Sequence, residues 1–526
     1  MDGDAADRAG SGGRSDCPGP RPLGRTVMIQ GTASHVGKSW FAAGVCRILA
    51  QDGWRVRPFK AQNMSNNAAV AADGGEIGRA QALQAEAAGV PAHTDMNPVL
   101  LKPSGPMTSQ VVLRGRPAGF LRFGAAGAAS ELRARAWSAI GDSLARLRAQ
   151  ADAVVIEGAG SPAELNLRDH DLANMAIARL ADAPVILVAD IDRGGVFAAL
   201  LGTLDLLRPA ERARVAGLVV NRFRGDPALF ADGCRILTER SGLPVLGVVP
   251  WLDLDLPEED AAVLDVAAPP GPPRAADVRV AVLRVPHISN FTDFAALAAV
   301  PGVALTYADR PGDAADADCL ILPGTRNAAA DLRWVAARGW GGALARAPLV
   351  LGVCGGMQML GTALHDPDRV EDPTGAGDAP GLGLLPVETT YRPGKRVVEV
   401  EAAVDGPGVA TWMPRGAVLS GYEIRSGVSV TAGDWLGEPG LSASAEGGRV
   451  LGCYMHGLFD NSAFRQAVVQ RLRRIRGLPP LPAEAFVDSA QRRAESLDAL
   501  AAAVRRHCDQ GALYRILGLP GMRCFR

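Results

Sequence analysis

The chain has 526 residues, 48% of them hydrophobic and 21% charged; at roughly 100–200 residues per domain it can hold two to four domains with cores of their own. A net charge of −1 argues against a nucleic-acid binder, and no apolar run is long enough for a membrane-spanning helix. Eight scattered cysteines without a CxxC pair exclude a disulfide scaffold and a structural zinc site, and make a reducing cytoplasm the expected compartment. Residues 1–25, rich in Gly, Asp and Ser and lacking an apolar signal-peptide core, are expected to form a disordered tail.

Continuous apolar, β-branched runs follow at 27–30, 154–156, 185–189, 218–220 and 245–249. They predict strands buried on both faces of a parallel sheet. Helical spacing lies between them, as over 39–49, where Phe41, Val45, Ile48 and Leu49 share a face before Gly53. Residues 267–277 read as a stiff Pro-rich linker. Beyond it the runs resume at 280–285, 319–322, 349–353 and 450–455, with a helix expected over 357–364. The prediction is two α/β domains, 26–266 and 278–490, and a helical tail over 491–526 packed on the second. In such sheets ligands bind past the carboxyl ends of the strands.

The first run ends in Gly31-Thr32-Ala-Ser-His-Val36-Gly37-Lys38-Ser39 and then a helix. This is a phosphate loop: backbone N–H groups cradle phosphate oxygens, Lys38 reaches the β/γ phosphates and the Ser39 hydroxyl coordinates Mg²⁺. The first glycine stands one residue early, with Thr32 in its usual place. Glu157, at the tip of the second run, is placed for a further Mg²⁺ contact. Asp190, Asp192 and Arg193 follow the third run, as site residues or as a helix-capping turn. Asn221 follows the fourth, to read an adenine edge or to close a turn. Lysine occurs only at Lys38, Lys60, Lys102 and Lys395 in an otherwise Arg-based chain, which draws attention to Lys60 in the amide-rich stretch Lys60-Ala-Gln62-Asn63-Met64. Arg79, Gln81, Asn97 and Lys102 add cationic and amide groups suited to a ligand bearing carboxylates and amides.

In the second half, Gly352-Val-Cys354-Gly355-Gly356 lies between an apolar run and a helix. The glycines permit the strained turn that projects a nucleophile, and a helix N-terminus favours a thiolate. Gly355 N–H and the strand tip at Gly324 would stabilise an oxyanion. His456, just past the last run, is the expected base, ahead of His287 and His365.

Cys354 and His456 in this setting resemble the glutaminase centre of class I amidotransferases, and the early-glycine loop resembles that of the dethiobiotin synthetase-like ATPases. The pairing resembles the corrin-ring amidases. Within them Pro58–Met64, Gly78–Gln81, Met96–Pro103, Asp190–Phe197, Asn221–Asp226 and Gly421-Tyr422-Glu423-Ile424 resemble the cobyric acid synthase family, over about residues 26–480. The resemblance implies a P-loop amidoligase domain followed by a class I glutamine amidotransferase domain. Glutamine would be hydrolysed at Cys354. Its ammonia would then amidate four ATP-activated side-chain carboxylates of a corrinoid, with ATP and Mg²⁺ as cofactors. It implies no nucleic-acid or membrane partner, and leaves the oligomeric state open. Leu458 stands where many class I enzymes have the glutamate behind the catalytic His, which leaves the third member of the triad open, with Glu423 as one candidate. Arg425 and Ser426 replace the family's usual His and Met. The competing readings are a cobyrinic acid a,c-diamide synthase, another ATP-dependent glutamine amidoligase, and a P-loop ATPase switch.

Overall fold

A computed structural model describes residues 22–105, 108–122, 128–257, 274, 277–372 and 377–523. The expected N-terminal tail and Pro-rich linker lie almost wholly outside the described residues.

The first domain is built on six parallel strands. These are β1 (Arg25–Gly31), β2 (Val56–Phe59), β3 (Ala153–Glu157), β4 (Val185–Asp190), β5 (Val215–Phe223) and β6 (Val245–Pro250), in the order 6-5-4-1-3-2. The chain leaves β1 for one side of the sheet and later returns to fill the other. The order therefore reverses at β1, where a ligand crevice forms in an open α/β sheet. The loop after β1 opens helix α1 (Lys38–Gln51) at this switch point. Between β2 and β3 the chain inserts a small sheet of Gln62–Met64, Val99–Gly105, Thr108–Leu113 and Arg116–Arg122, together with helix α2 (Arg79–Ala87). These short strands, and β2 itself, carry no long apolar run, and the sequence gives no sign of them.

The second sheet contains β7 (Val278–Leu283), β8 (Val303–Ala308), β9 (Cys319–Leu322), β10 (Leu349–Val353), β11 (Ser442–Ala445) and β12 (Val450–Cys453). Their order is 8-7-9-10-12-11, all parallel except for β11 against β12. A long antiparallel pair, Val387–Ala403 with Val418–Thr431, stands beside it. Two expectations change here. The helix after Cys354, α3, spans Gly355–Leu360 rather than 357–364, because Gly361 leaves the helical conformation and Ala363–His365 joins a second small sheet.

The tail does not pack on the second domain. Helices α4 (Ser489–His507) and α5 (Gln510–Leu517) return to the first, where Leu497, Leu500, Val504, Leu513 and Leu517 share one core with Val45, Ile48 and Leu49. The reason lies in α1. Its segment Phe41-Ala-Ala-Gly-Val is buried right round, and at Gly44 a Cβ would come within 3.2 Å of Val504 Cγ2. Small residues let α4 approach closely and cover the face that the sheet leaves open. Arg505 and Tyr514 then hold the buried Asp52 at the end of α1.

Candidate functional site

Two cavities hold the expected chemistry. The larger, of about 1080 Å³, opens at the carboxyl ends of β1, β2, β3, β5 and β6 and is lined by Lys38, Ser39, Lys60, Gln62, Asn63, Glu157 and Asn221. The loop shapes it. Gly37 has φ +91°, and a Cβ there would fall 2.1 Å from Asn221 Nδ2, so only glycine fits. Gly31 closes under Val36 and Lys38, Thr32 N–H donates to Val188 O at 3.0 Å, and Lys38 Nζ curls to Ala33 O at 2.7 Å. Asn221 Nδ2 donates to Val36 O at 2.9 Å, so this side chain braces the loop.

Glu157 is the hub. It is 1% exposed, and accepts from Ser39 Oγ at 2.8 Å, Lys60 Nζ at 2.9 Å and Gln84 Nε2 at 2.5 Å. Burial would raise its pKa, but Lys60, Ser39 and Gln84 hold it below the usual carboxylate range. An ionised carboxylate beside a loop hydroxyl is the oxygen donor set that Mg²⁺ takes together with phosphate oxygens.

The remaining substrate residues do not gather there. Asn97 ties Lys60 O and Val99 O, and accepts from Gly78 N–H. Gln81, fully buried, accepts from Asn63. Arg79 reaches Thr292 at 3.4 Å and lies over the Tyr422 ring, between the two domains. Asp190 pairs with Arg222, Asp192 pairs with Arg224, and Arg193 is largely exposed; none of the three lines the cavity. Lys102 pairs with the buried Glu76 at 2.5 Å and lines the second cavity.

That second cavity, of about 40 Å³, is lined by Cys354, His456, Thr325, Arg326, Arg425 and residues of both domains. Cys354 adopts φ 51°, ψ −109°, a strained turn for a non-glycine residue. Its neighbours must be glycine. A Cβ at Gly352 would meet Gly356 C at 2.7 Å, and one at Gly356 would meet Leu322 O at 2.0 Å. At Gly324 a Cβ would come to 3.0 Å from His456 Cε1, and at Gly355 to 2.5 Å from Thr325 Cγ2, so both backbones border the reacting pair. Burial pushes the thiols of Cys46, Cys319 and Cys453 well up, as suits inert core cysteines.

The His456 imidazole and Cys354 line the same small cavity, close enough for Cys354 to raise the imidazole pKa, while the Cys354 thiol faces Ile424 O at 3.8 Å. The imidazole Nδ1 lies 2.6 Å from Asp293 Oδ2, and both residues are buried. Tyr422 stacks on its face at 5.3 Å. Asp293, not Glu423, stands behind the histidine. Glu423 is held by Arg396 at 2.9 Å and Arg425 at 2.5 Å on the neighbouring strand, where alternation turns it away from His456. Sequence reasoning missed Asp293 because it stands in no motif. Its one signal is position, in the loop after β7 at the point where the second sheet reverses. His287 bonds Asp331 at 2.7 Å, and His365 lies near the surface against Asp378 and Glu388.

Comparison with known proteins agrees with this division. A family model described as the CobQ/CobB/MinD/ParA nucleotide binding domain matches residues 27–262, and one described as the CobB/CobQ-like glutamine amidotransferase domain matches residues 279–464. A cobyric acid synthase of Desulforudis audaxviator is 48% identical over 94% of this chain and 99% of its own length. Those of Moorella thermoacetica and Sorangium cellulosum are 43% and 45% identical, again over 94% of this chain and 98% and 99% of theirs. Likeness at this level, over nearly the full length of both partners and through both domains, places the chain in the cobyric acid synthase family.

Proposed function

We propose that the chain is a glutamine-hydrolysing ligase that amidates side-chain carboxylates of adenosylcobyrinic acid a,c-diamide to give adenosylcobyric acid, with ATP and Mg²⁺. The observation that carries this reading is the presence in one chain of a Cys354–His456–Asp293 array and a phosphate loop with its Ser39–Glu157 pair.

Cys354 Sγ attacks the amide carbon of glutamine. Gly355 and the Gly324–Thr325 strand tip face the developing oxyanion, and His456 passes its proton to the leaving ammonia. Water then opens the glutamyl thioester to glutamate, with His456 as base. In the first domain a corrinoid carboxylate takes the γ-phosphoryl group of ATP, and ammonia displaces phosphate from the acyl phosphate to leave the amide. Lys38 would hold the phosphates, Ser39 and Glu157 would hold Mg²⁺, and Lys60, which lines the same cavity beside Glu157, would receive the reacting carboxylate. When bound, Mg²⁺ spreads the charge of the phosphates. The eight scattered cysteines without a CxxC pair support a reducing cytoplasm as the compartment.

The test is mass spectrometry of the corrinoid after incubation with ATP, Mg²⁺ and either glutamine or ammonium. The wild-type chain should produce successive hydroxyl-to-amine mass changes with either donor. Cys354→Ala should do so with ammonium alone. Amidation of a different carboxylic acid, with the corrinoid untouched, would keep the mechanism and discard the substrate.

A further inference from the structure

The larger cavity continues beyond Lys60 and Glu157 into a space that the reaction at the phosphate loop does not use. Leu101, Val111, Leu121, Leu132 and Ala136 form an apolar floor there, and four guanidinium groups stand around it: Arg133, Arg168, Arg179 and Arg208. They come from four separate elements, the helix Ala128–Gln150, the 3₁₀ segment Leu165–His170, the helix Met175–Leu180 and the turn before Pro209.

Elsewhere in the chain arginines close tightly on carboxylates, as Arg55 does on Asp152 and Arg146 on Asp95. These four do not. Arg133 touches His170 Nδ1 at 2.7 Å, and Arg168 donates to Leu206 O at 2.6 Å. Arg179 stays 3.9 Å from Glu211, and Arg208 stays 4.0 Å from Asp169. Among the described residues none of the four guanidinium groups makes a hydrogen bond to a carboxylate. The acids lining the same space are already engaged by backbone: Asp171 accepts from the N–H groups of Ala173, Asn174 and Ala176, and Glu211 from that of Arg208. Among the described residues, Glu164 in the lining and the exposed Asp169 beside Arg208 add negative charge there.

We infer that Arg133, Arg168, Arg179 and Arg208 form a second anion-binding zone, which holds the carboxylates of a macrocycle that are not reacting while its ring lies on the apolar floor. An arginine fork recognises a carboxylate bidentately, and a substrate with carboxylates around an apolar ring needs an apolar bed with cations at its edge. A ring seated so places one carboxylate at Lys60 and the others on the arginines. This inference rests on the corrinoid reading proposed above.

The test is steady-state kinetics of full-length Arg168→Met, Arg208→Met and the double variant, with the Lys substitutions as charge-retaining partners. Equilibrium binding of the corrinoid without ATP, followed by the visible spectrum of the ring, is measured alongside. Each Met variant should raise the corrinoid KM and Kd about tenfold, the loss expected of one charge-assisted hydrogen bond. The ATP KM should shift less than about twofold, and Lys should restore part of the loss. An unchanged corrinoid KM and Kd would make the arginines a solvated rim and overturn the inference. A rise in the ATP KM instead would assign them to the nucleotide and also overturn it. A wild-type chain that binds the corrinoid without amidating it would sink the proposed function, while the binding series would still decide the arginine zone.

Discussion

His456 stands between two groups with opposite uses, the Asp293 carboxylate behind its Nδ1 and the Cys354 thiol in front. Burial alone would lower the imidazole pKa, but Asp293 and Cys354 outweigh it and the ring is pushed up to about 10. The folded protein therefore keeps this proton through neutral pH. The stability it contributes is complete below the ordinary value near 6.5 and is lost as pH rises through about 10. The same proton serves the leaving ammonia, so glutaminase activity should persist into alkaline solution and fall near pH 10. Asp293→Asn keeps the shape and removes the charge. It should lower glutaminase kcat by about 10²–10⁴-fold and move the alkaline limb towards neutral pH, while ammonium-dependent amidation stays intact. A pH–rate series with each nitrogen donor measures both effects, and an unmoved limb would show that Asp293 does not set the histidine. Gly37→Ala tests the other site. With Asn221 Nδ2 2.1 Å from the new methyl group and φ at +91°, the loop must deform, so amidation with either donor should be lost while glutamine hydrolysis survives. Cys354, His456 and the loop residues were legible because each sits in a short glycine-marked turn after an apolar run. Asp293, Gln84 and the cavity arginines were not, because proximity created by folding leaves no local spacing to read.

The elements that carry catalysis are the ones most exposed to loss of support. Helix α1 presents the phosphate loop, and its outer face is covered by α4, 451 residues later where Arg47 meets Asp498 but in direct contact through Leu500 and Val504. Leu500→Ala would open a cavity under the loop helix and cost about 2–5 kcal/mol. The effect should appear as a lower thermal midpoint for the nucleotide-binding domain and a smaller upward shift on adding ATP. Removing residues 489–523 should unfold that domain and spare Cys354 reactivity in the other. The central strands were readable as continuous apolar runs, the signature of a sheet covered on both faces. The destination of the tail was not, since amphipathic spacing shows that a helix has an apolar face but not which surface receives it. The strands at 62–122 were hidden for another reason: Gln62–Met64 is too brief to show a pattern, Val99–Gly105 and Arg116–Arg122 interrupt it with Pro and Gly, and their order comes from pairing in space.

At the scale of the molecule the two sites are joined by the segment inserted between β2 and β3, through Asn67 and the short pair Ala68–Val70 with Glu76–Gly78. Asn290 Oδ1 accepts from Ala68 N–H at 2.9 Å, Asn67 Oδ1 accepts from Phe291 N–H at 3.2 Å, and Tyr422 OH donates to Ala68 O at 3.2 Å. These contacts grip the segment that carries Asp293 and the ring that stacks on His456. Beside them Glu76 is fully buried between two lysines, Lys102 of its own domain at 2.5 Å and Lys395 of the other at 2.7 Å. Burial would raise Glu76, but the lysines pull it down to about 2, whereas burial takes Lys395 down to about 7. Because the carboxylate pKa is depressed in the folded state, its contribution is present above the ordinary value of 4.5 and is lost as pH falls towards about 2. The interface should therefore loosen in acid before either core melts. Since Lys102 and Lys395 also line the cavity that holds Cys354, this cluster walls the glutaminase on its synthetase side. Glu76→Gln removes the shared counter-charge: Lys395, already down to about 7, loses the carboxylate that raises it and gives up its proton, and Lys102 is left buried without its partner, a loss that costs about 3–5 kcal/mol for a buried pair. The expected result is a glutaminase that runs without productive amidation, read as a rise in glutamate formed per ATP consumed, together with weaker docking of the domains at neutral pH. A variant that keeps the wild-type ratio of glutamate to ADP would show that the Glu76 cluster holds the domains together without governing the transfer of ammonia between them.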